Sequence, residues 1–434
     1  MGMILGRTIE IGEVTEVHRD YFYKAFGVHR FVKNLGLELW SAQYQAYLKD
    51  KREPKPNFVW LSKAINQVKD ELYPWMREVS CYVQTRALMD VEDAFSRFFS
   101  GQNEYPKFMK KGRKESFGVH NNDIRIKDPR TILIGKLKVP IKLKEDMKIA
   151  KEDILGARIF LKAGRFFISF NFEKDRKKKK KKLSVKGLRD RVFRSVKHIA
   201  KAKLKVVGLD LGIKTLAALS TGEMIPNLRP LLQLEKEIKR VQRRLSKFQS
   251  KYRAEYFKAK EKHGKKFVPR IHSPKKSRNH QKWERRLQKL HFRVANVRKD
   301  HIHKFTTKVV RRYDIICIER LRVTNMLKNH KLAKSLSDAA FGEIVRQLKY
   351  KAKLYGKIVI EVDPFFPSSK QCRICGFKKS DLKLSDRVFF CDNPECGHEE
   401  HRDTHSSRNV IPEALHKFIK RKMSANALDE LAAA

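Results

Sequence analysis

Three acidic residues, far apart in the chain, are candidates for a shared metal site. Asp210 and Glu319 each close a short apolar run, and Asp403 lies in a polar segment near the C-terminal end. Each acid alone is equally readable as a capping or turn residue. Three carboxylates brought together, however, cannot all ionise without cations, and hard oxygen ligands favour Mg²⁺ or Mn²⁺. We therefore predict that they hold two such ions ~3.5–4 Å apart and hydrolyse a phosphodiester.

Four cysteines form a second candidate metal site. They occur as Cys372-Arg-Ile-Cys375 and Cys391-Asp-Asn-Pro-Glu-Cys396. Two close pairs of thiolates suit one tetrahedral Zn²⁺ in a structural role, because all four protein positions are filled. The second pair is wider than usual, so His398 or His401 remains an alternative ligand. Cys81 and Cys317 stand apart from this cluster, and we expect both in the core.

The charge of the chain points to a polyanionic partner. There are 99 Lys and Arg residues against 48 Asp and Glu, a formal net charge of +51. Long runs of phosphate neutralise such an excess better than a small anion does, so nucleic acid is the expected partner. No apolar run approaches ~18 residues and no signal-peptide core is evident, so we expect no membrane partner and a cytoplasmic location.

The front half of the chain changes from helical to strand-like spacing. Between residues 18 and 100 apolar residues recur at helical intervals, as in the stripe Leu88, Val91, Phe95 and Phe98. Between 117 and 173 the period is that of short strands, with Ala163-Gly164-Arg165 as a hairpin turn. This pattern predicts a small barrel or curled sheet, joined by a strand from residues 1–15.

The back half alternates strands and helices around a basic helical pair. A lysine-rich linker (Lys174–Lys182) precedes it, and two long basic helices are expected from Leu231 to about Phe257 and from His280 to about Lys308. Their one-sided charge favours a nucleic-acid groove over a solvated hairpin. A strand, a helix over Asp338–Tyr355 and the strand Ile358–Val362 follow. The alternation resembles a ribonuclease H fold, in which acids from separate elements meet at one end of a sheet.

These segments together resemble TnpB, a transposon-encoded relative of the type V CRISPR effectors. The motifs Val-Gly-Leu-Asp-Leu-Gly-Ile-Lys (207–214), Ile-Cys-Ile-Glu-Arg-Leu (316–321) and Arg-Asp-Thr-His-Ser-Ser-Arg-Asn-Val (402–410) match the three RuvC motifs of that family. The resemblance implies that Asp210, Glu319 and Asp403 are the catalytic acids of a single RuvC site. The third motif departs from the usual Asn-Ala-Ala, since this chain has His405-Ser406-Ser407.

The resemblance also implies a domain plan. The expected fold class is multidomain α+β: a ribonuclease H-like (RuvC) nuclease domain with a zinc-binding insertion, a β-barrel wedge domain and a helical recognition lobe. The expected ranges are 1–15 and 116–173 for the wedge, 16–115 for recognition, 174–203 for a basic linker, 204–371 and 397–418 for the nuclease with a helical insertion at about 228–308, 372–396 for the zinc module and 419–434 for a disordered tail.

The activity implied by the resemblance is RNA-guided DNA cleavage. A guide RNA derived from the transposon end pairs with target DNA while the protein, as a monomer per RNA, reads a short adjacent motif. The likeness places Tyr82, Thr85, His120 and Asn121 at that motif. The single site, with its two Mg²⁺ or Mn²⁺ ions, then cuts both strands. The alternatives are a miniature type V CRISPR effector, a cleavage-deficient guided repressor and a guide-independent, structure-selective nuclease.

Overall fold

The computed structural model describes residues 3–174, 204–264, 268, 274–383 and 385–433. The chain separates into two compact units near residue 178. The predicted lysine-rich linker lies outside the described residues, apart from Lys174 at the end of a strand. No helix among the described residues is long and apolar enough to cross a membrane.

The first unit combines three helices with two antiparallel sheets. Short 3₁₀ helices occur at Pro74–Glu78, Asn121–Asp123 and Lys151–Asp153. The sheets have the strand orders β1-β7-β6-β2 and β3-β4-β5. In chain order the elements are β1 (Met3–Glu10), α1 (Glu16–Lys49), α2 (Phe58–Leu72), α3 (Cys81–Phe99), β2 (Ser116–His120), β3 (Ile124–Asp128), β4 (Thr131–Ile134), β5 (Leu137–Lys142), β6 (Ile154–Lys162) and β7 (Arg165–Lys174).

Of the two predicted arrangements of these strands, a small barrel or a curled sheet, the barrel is wrong. The N-terminal strand does join the sheet, since β1 pairs with β7 along its whole length. Within the described residues, however, the strands form two open sheets. Helix α1 covers the apolar face of the larger sheet: Phe22 packs 5.1 Å from Phe166 and Phe26 packs 5.6 Å from Phe117, measured between ring centroids. The sheet therefore buries its apolar face against a helix instead of closing on itself.

Local signals explain where these elements begin and turn. Thr15 caps α1 in a capping box with His18, and the Ser80 side chain accepts a hydrogen bond at the start of α3. Ala163 and Gly164 both have positive φ angles, of 51° and 78°, and such a pair makes the tight turn of the β6–β7 hairpin. Cys81 is the first residue of α3 and is exposed, so its predicted core position is wrong, whereas Cys317 is buried as predicted.

The second unit is built on a five-stranded mixed sheet. Its strand order is β10-β9-β8-β11-β12, with β8, β11 and β12 parallel and β9 and β10 antiparallel to their neighbours. The elements are β8 (Val206–Asp210), β9 (Thr215–Leu219), β10 (Met224–Pro226), α4 (Pro230–Gln233), α5 (Glu235–His263), α6 (Arg278–Arg312), β11 (Ile315–Glu319), α7 (Val323–Met326), α8 (His330–Ala339), α9 (Phe341–Tyr355), β12 (Ile358–Val362), β13 (Val388–Phe390), β14 (Glu399–His401) and α10 (Arg402–Ala433).

Alternating residues of β11 face two different helical layers. Ile316 and Ile318 pack in a cluster that includes side chains of α6 and α9, whereas Ile315 and Cys317 pack with Val410 of α10. Side chains of a strand point alternately to its two faces, so the sheet is buried on both sides. This explains why β11 reads as one continuous apolar run ending in Glu319.

Several helix boundaries differ from the sequence-based expectation. The predicted helix over Asp338–Tyr355 is divided between α8 and α9, because Ala340 adopts a left-handed backbone with φ 53°. The segment from residue 419, expected as a disordered tail, continues α10 as far as Ala433. The two basic helices are present and longer than predicted, as α5 and α6.

Candidate active site and zinc module

The sheet of the second unit brings Asp210 and Glu319 to one edge. Asp210 is the last residue of β8 and Glu319 the last residue of β11. These strands are parallel neighbours whose last paired residues are Leu209 and Ile318, so both acids follow at the same carboxyl end. Asp403 is the second residue of α10, the helix that crosses β8. Three elements distant in sequence therefore deliver one acid each.

The three acids interact electrostatically. Burial, together with the nearby carboxylates of Glu319 and Asp403, raises the pKa of Asp210 to about 7. Burial also raises the pKa of Glu319. A carboxylate whose ionisation is opposed by two others is a natural ligand for a divalent cation. The carboxylate oxygens of the three acids do not, however, form a group within 4.8 Å of one another among the described residues.

Two serine hydroxyls connect Asp210 to Glu319. Ser406 on α10 forms a hydrogen bond with Asp210, and its Oγ lies 2.9 Å from Ser368 Oγ. Ser368 in turn donates to Glu319 Oε1. Both serines are buried. The potential donors are thus all oxygen atoms, which suits Mg²⁺ or Mn²⁺ and not a thiolate-seeking metal. The two serines were not among the predicted site residues.

The raised pKa of Asp210 predicts a pH-dependent stability. The folded protein keeps this proton to a higher pH than the unfolded chain does. The favourable contribution of protonated Asp210 to the free energy of unfolding is therefore fully present below about pH 4 and is lost as the pH rises through 7. In Mg²⁺-free buffer at pH 8 we expect Asp210→Asn to unfold at a higher urea concentration than the wild type. Its free energy of unfolding should be greater by roughly 2–4 kcal/mol, and this difference should shrink toward pH 4. Adding Mg²⁺ should stabilise the wild type but not the Asp210→Asn variant. Identical urea curves for both proteins at pH 8 would contradict this electrostatic account.

The four predicted cysteines meet in one cluster. The Sγ atoms of Cys372 and Cys396 are 3.7 Å apart, those of Cys375 and Cys391 are 3.5 Å apart, and all four lie within 4.8 Å of one another. Zn–S bonds of ~2.3 Å place tetrahedral thiolates about 3.8 Å apart, so the cluster fits a zinc ion. The backbone N–H of Phe377 lowers the pKa of Cys375 to about 6, which favours the thiolate. His398 belongs to a different group of side chains, and the alternative with His398 or His401 is unnecessary.

Removing two of these thiolates should release the metal. We expect Cys372→Ser with Cys375→Ser to lose zinc, because two remaining thiolates do not complete a tetrahedral site. In cobalt-substituted protein the thiolate-to-metal charge-transfer absorption should disappear. The matched control is Cys81→Ser, which changes an exposed cysteine of the first unit and should leave that absorption unchanged. Full charge-transfer intensity in the double variant would exclude Cys372 and Cys375 as ligands.

The four polar residues predicted to contact target DNA lie in the first unit. The ring of Tyr82 stacks on that of His120, with centroids 4.4 Å apart and an interplanar angle of 11°. Asn121 follows His120 directly and lines a surface cavity of about 540 Å³ together with Asn122 and Lys151. Thr85 lies about one turn beyond Tyr82 on α3, where its hydroxyl donates to the Cys81 carbonyl. Tyr82, His120 and Asn121 are thus adjacent, and their DNA contact stays a prediction.

A second cavity lies along the basic face of α6. It measures about 690 Å³, and its lining is cationic or polar throughout: His303, Lys304, Thr307, Lys308, Arg311 and Arg312. Backbone phosphates are the ligands expected on such a surface. The basic surface predicted for the helical pair therefore continues to the C-terminal end of α6.

Comparisons with known proteins agree with the resemblance described above. A family model described as "Probable transposase" (OrfB_IS605) matches residues 192–330, and a model for the TNB domain of Cas12f1-like proteins matches residues 341–410. The chain is 28% identical to a "Putative RNA-guided DNA endonuclease" of Streptomyces pristinaespiralis, covering 90% of this chain and 85% of the relative. It is 25% identical to the "Putative RNA-guided DNA endonuclease InsQ" of Escherichia coli K12, covering 89% and 86%.

Solved structures of similar chains include two RNA-guided systems. A Cas12f1–sgRNA–target DNA complex aligns with a TM-score of 0.32 and 12% identity, covering 94% of this chain and 98% of the other. The mini-RNA-guided endonuclease CRISPR-Cas_phi3 aligns with a TM-score of 0.42 and 11% identity, covering 95% and 92%. The sequence matches point to a class that includes a transposase family and Cas12f1-like proteins. Within that class they confirm the resemblance of this chain to TnpB.

Proposed function

We propose that this protein is an RNA-guided DNA endonuclease with one ribonuclease H-like (RuvC) active site. The observation that carries the proposal is the convergence of Asp210, Glu319 and Asp403, whose mutual repulsion contributes to the raised pKa of Asp210. The names of the relatives support the guided activity, and the net charge of +51 supports a nucleic-acid partner.

Asp210, Glu319 and Asp403 would hold the metal. When bound, two Mg²⁺ or Mn²⁺ ions supply an activated water and stabilise the attacking and leaving oxygens of a phosphodiester. Asp210 must ionise to act as a ligand. The single hydroxyl proton of Ser406 is donated to Ser368 Oγ, so Ser406 accepts a hydrogen bond from Asp210 only while that carboxyl is protonated. Ser368 donates to Glu319 and so holds the second carboxylate at the same sheet edge. The serine pair fixes the spacing of the two acids before metal enters.

The remaining parts of the chain have assignable roles under this proposal. Residues 204–371 and 397–418 form the nuclease, and 372–396 form a zinc module that supports it. The first unit supplies a wedge and a recognition lobe, with Tyr82, Thr85, His120 and Asn121 at the target-adjacent motif. The guide derives from the transposon end, one protein copy binds each RNA, and the protein acts in the prokaryotic cytosol.

The test is to identify the RNA that the protein carries. The gene is expressed with its native flanking DNA, the protein is purified, and the bound RNA is sequenced; the coding sequence without flanks is the control. The proposal expects one dominant RNA that overlaps the 3′ end of the gene and extends past the transposon boundary. Repeat–spacer RNA would retain guided cleavage and overturn the transposon origin. A mixture of cellular RNAs, combined with no cleavage when a matching guide is supplied, would overturn the guided function.

A further inference from the structure

We propose that His398, Glu400 and His405 form a second zinc site, separate from the four-cysteine cluster. The three side chains lie in the second unit, where Glu400 is on β14 and His405 is in the first turn of α10. Two imidazoles and one carboxylate are a ligand set that Zn²⁺ uses with a non-protein fourth ligand. The proposal goes beyond the endonuclease function and does not depend on it.

The ligand atoms have the spacing of a tetrahedral site. His398 Nε2 and His405 Nδ1 each lie 3.4 Å from Glu400 Oε2. All three atoms are within 4.8 Å of one another. A tetrahedral ion with bonds of ~2.0–2.1 Å holds its ligand atoms about 3.4 Å apart. The two separations from Glu400 Oε2 therefore match those that a shared zinc ion requires.

The hydrogen bonds of His405 leave the correct nitrogen free for a metal. The ring is fully buried, and its Nε2 lies 2.8 Å from the Gln371 carbonyl oxygen, to which it must donate. In the neutral ring Nδ1 then carries a lone pair, and this buried atom has no hydrogen-bond partner. The buried His398 Nε2 likewise has none. A metal-bound histidine commonly donates its other N–H to a backbone carbonyl, as His405 does here.

Two arginines donate hydrogen bonds to the Glu400 carboxylate and affect the zinc affinity expected of the site. Arg373 Nε donates to Glu400 Oε2 at 3.0 Å, and Arg408 donates to Oε1. Carboxylate ligands are commonly held by such hydrogen bonds. The two positive charges also oppose a third cation, so this site should bind zinc more weakly than the four thiolates do. The competing explanation is a metal-free ion-pair cluster in which a histidine carries a proton.

Zinc at this position would join two elements next to the active site. Glu400 belongs to the β13–β14 hairpin, whose first strand lies in the zinc module, and the ring of Phe389 on that hairpin stacks on His405 with centroids 4.0 Å apart. His405 follows Asp403 by two residues on α10. The ion would therefore fix the start of the helix that carries one catalytic acid.

The experiment counts zinc in the full-length, tag-free protein after equilibration with ZnCl₂ and removal of free metal. We expect two ions in the wild type and one in Glu400→Gln and in His405→Asn. The control His401→Asn changes an exposed histidine beside the cluster and should keep two. In a cobalt titration the second equivalent should bind without further thiolate charge-transfer absorption, and this phase should be missing in Glu400→Gln.

Two outcomes would overturn the site. One is saturation of the wild-type protein at a single ion, a result that requires no variant to fold. The other is a second ion that both Glu400→Gln and His405→Asn retain. Far-ultraviolet circular dichroism of each variant separates loss of the ligand from loss of the fold. If a variant unfolds, the cobalt titration of the wild type decides instead. The absence of a second cobalt-binding phase in that titration rejects the proposal.

Discussion

Replacing Asp210 by Asn is expected to lower the rate of guided DNA cleavage by at least ~10³-fold, equivalent to about 4 kcal/mol of transition-state stabilisation. Asparagine keeps the shape of the side chain but removes the negative charge with which Asp210 would hold a divalent ion. The same loss is expected for Glu319→Gln and Asp403→Asn, because the three acids act on the same ions. The measurement is single-turnover cleavage of a linear duplex that matches a supplied guide.

Binding of RNA and DNA separates this effect from unfolding. Asp210 lies at the end of a strand, contacts Ser406 and has Arg402 as a nearby cation. We expect gel-shift affinities for guide RNA and target DNA within about threefold of the wild type. Glu361→Gln is the matched control, since Glu361 lies on the neighbouring strand β12 and pairs with Lys349 at 2.8 Å. Its cleavage rate should stay within about twofold. Retained cleavage in Asp210→Asn would remove Asp210 from the site.

The acids could be predicted because their signal is local. An apolar run that ends in a carboxylate is visible in a few residues, as in Val206 to Asp210 and Ile315 to Glu319. The adjoining hairpin, in which β8 pairs with β9 through Leu209 and Leu219, is likewise a local feature. The paired cysteines were equally local. Local sequence was enough to place these residues, whereas the catalytic role of the acids stays a prediction.

The missed features depend on contacts between distant residues. Ser368 and Ser406 are separated by 38 residues, and although Ser406 lies within the third RuvC-like motif, nothing local in the sequence indicates that the two serines meet. His405 was visible as a departure from the usual motif, but its approach to Glu400 requires the β13–β14 hairpin to fold back on α10. The open form of the larger sheet in the first unit follows from α1 covering its apolar face, which strand periodicity does not reveal.

Gly208 is a position where a single methyl group should disrupt the second unit. It lies in β8, two residues before Asp210, where α10 crosses the strand. A Cβ atom added there would overlap the Ser407 carbonyl oxygen, lie 2.9 Å from its carbon and press on Ile411 at 3.1 Å. The obstacle is helix backbone, which cannot move aside as a flexible side chain would. Strand β8 and helix α10 must separate to admit it.

We therefore expect Gly208→Ala to destabilise the second unit by about 3 kcal/mol or more, at or above the upper range for overpacked cores. Cleavage should fall by at least ~10²-fold even where the protein stays folded, because the displaced elements carry Asp210 and Asp403. Urea unfolding and single-turnover cleavage measure the two effects. Gly342→Ala is the control: an added Cβ meets nothing within 4 Å at this helical site, so stability should hold or rise slightly. Wild-type stability in Gly208→Ala would show that α10 does not rest on β8 at this residue, and the delivery of Asp403 to the sheet edge would need another explanation.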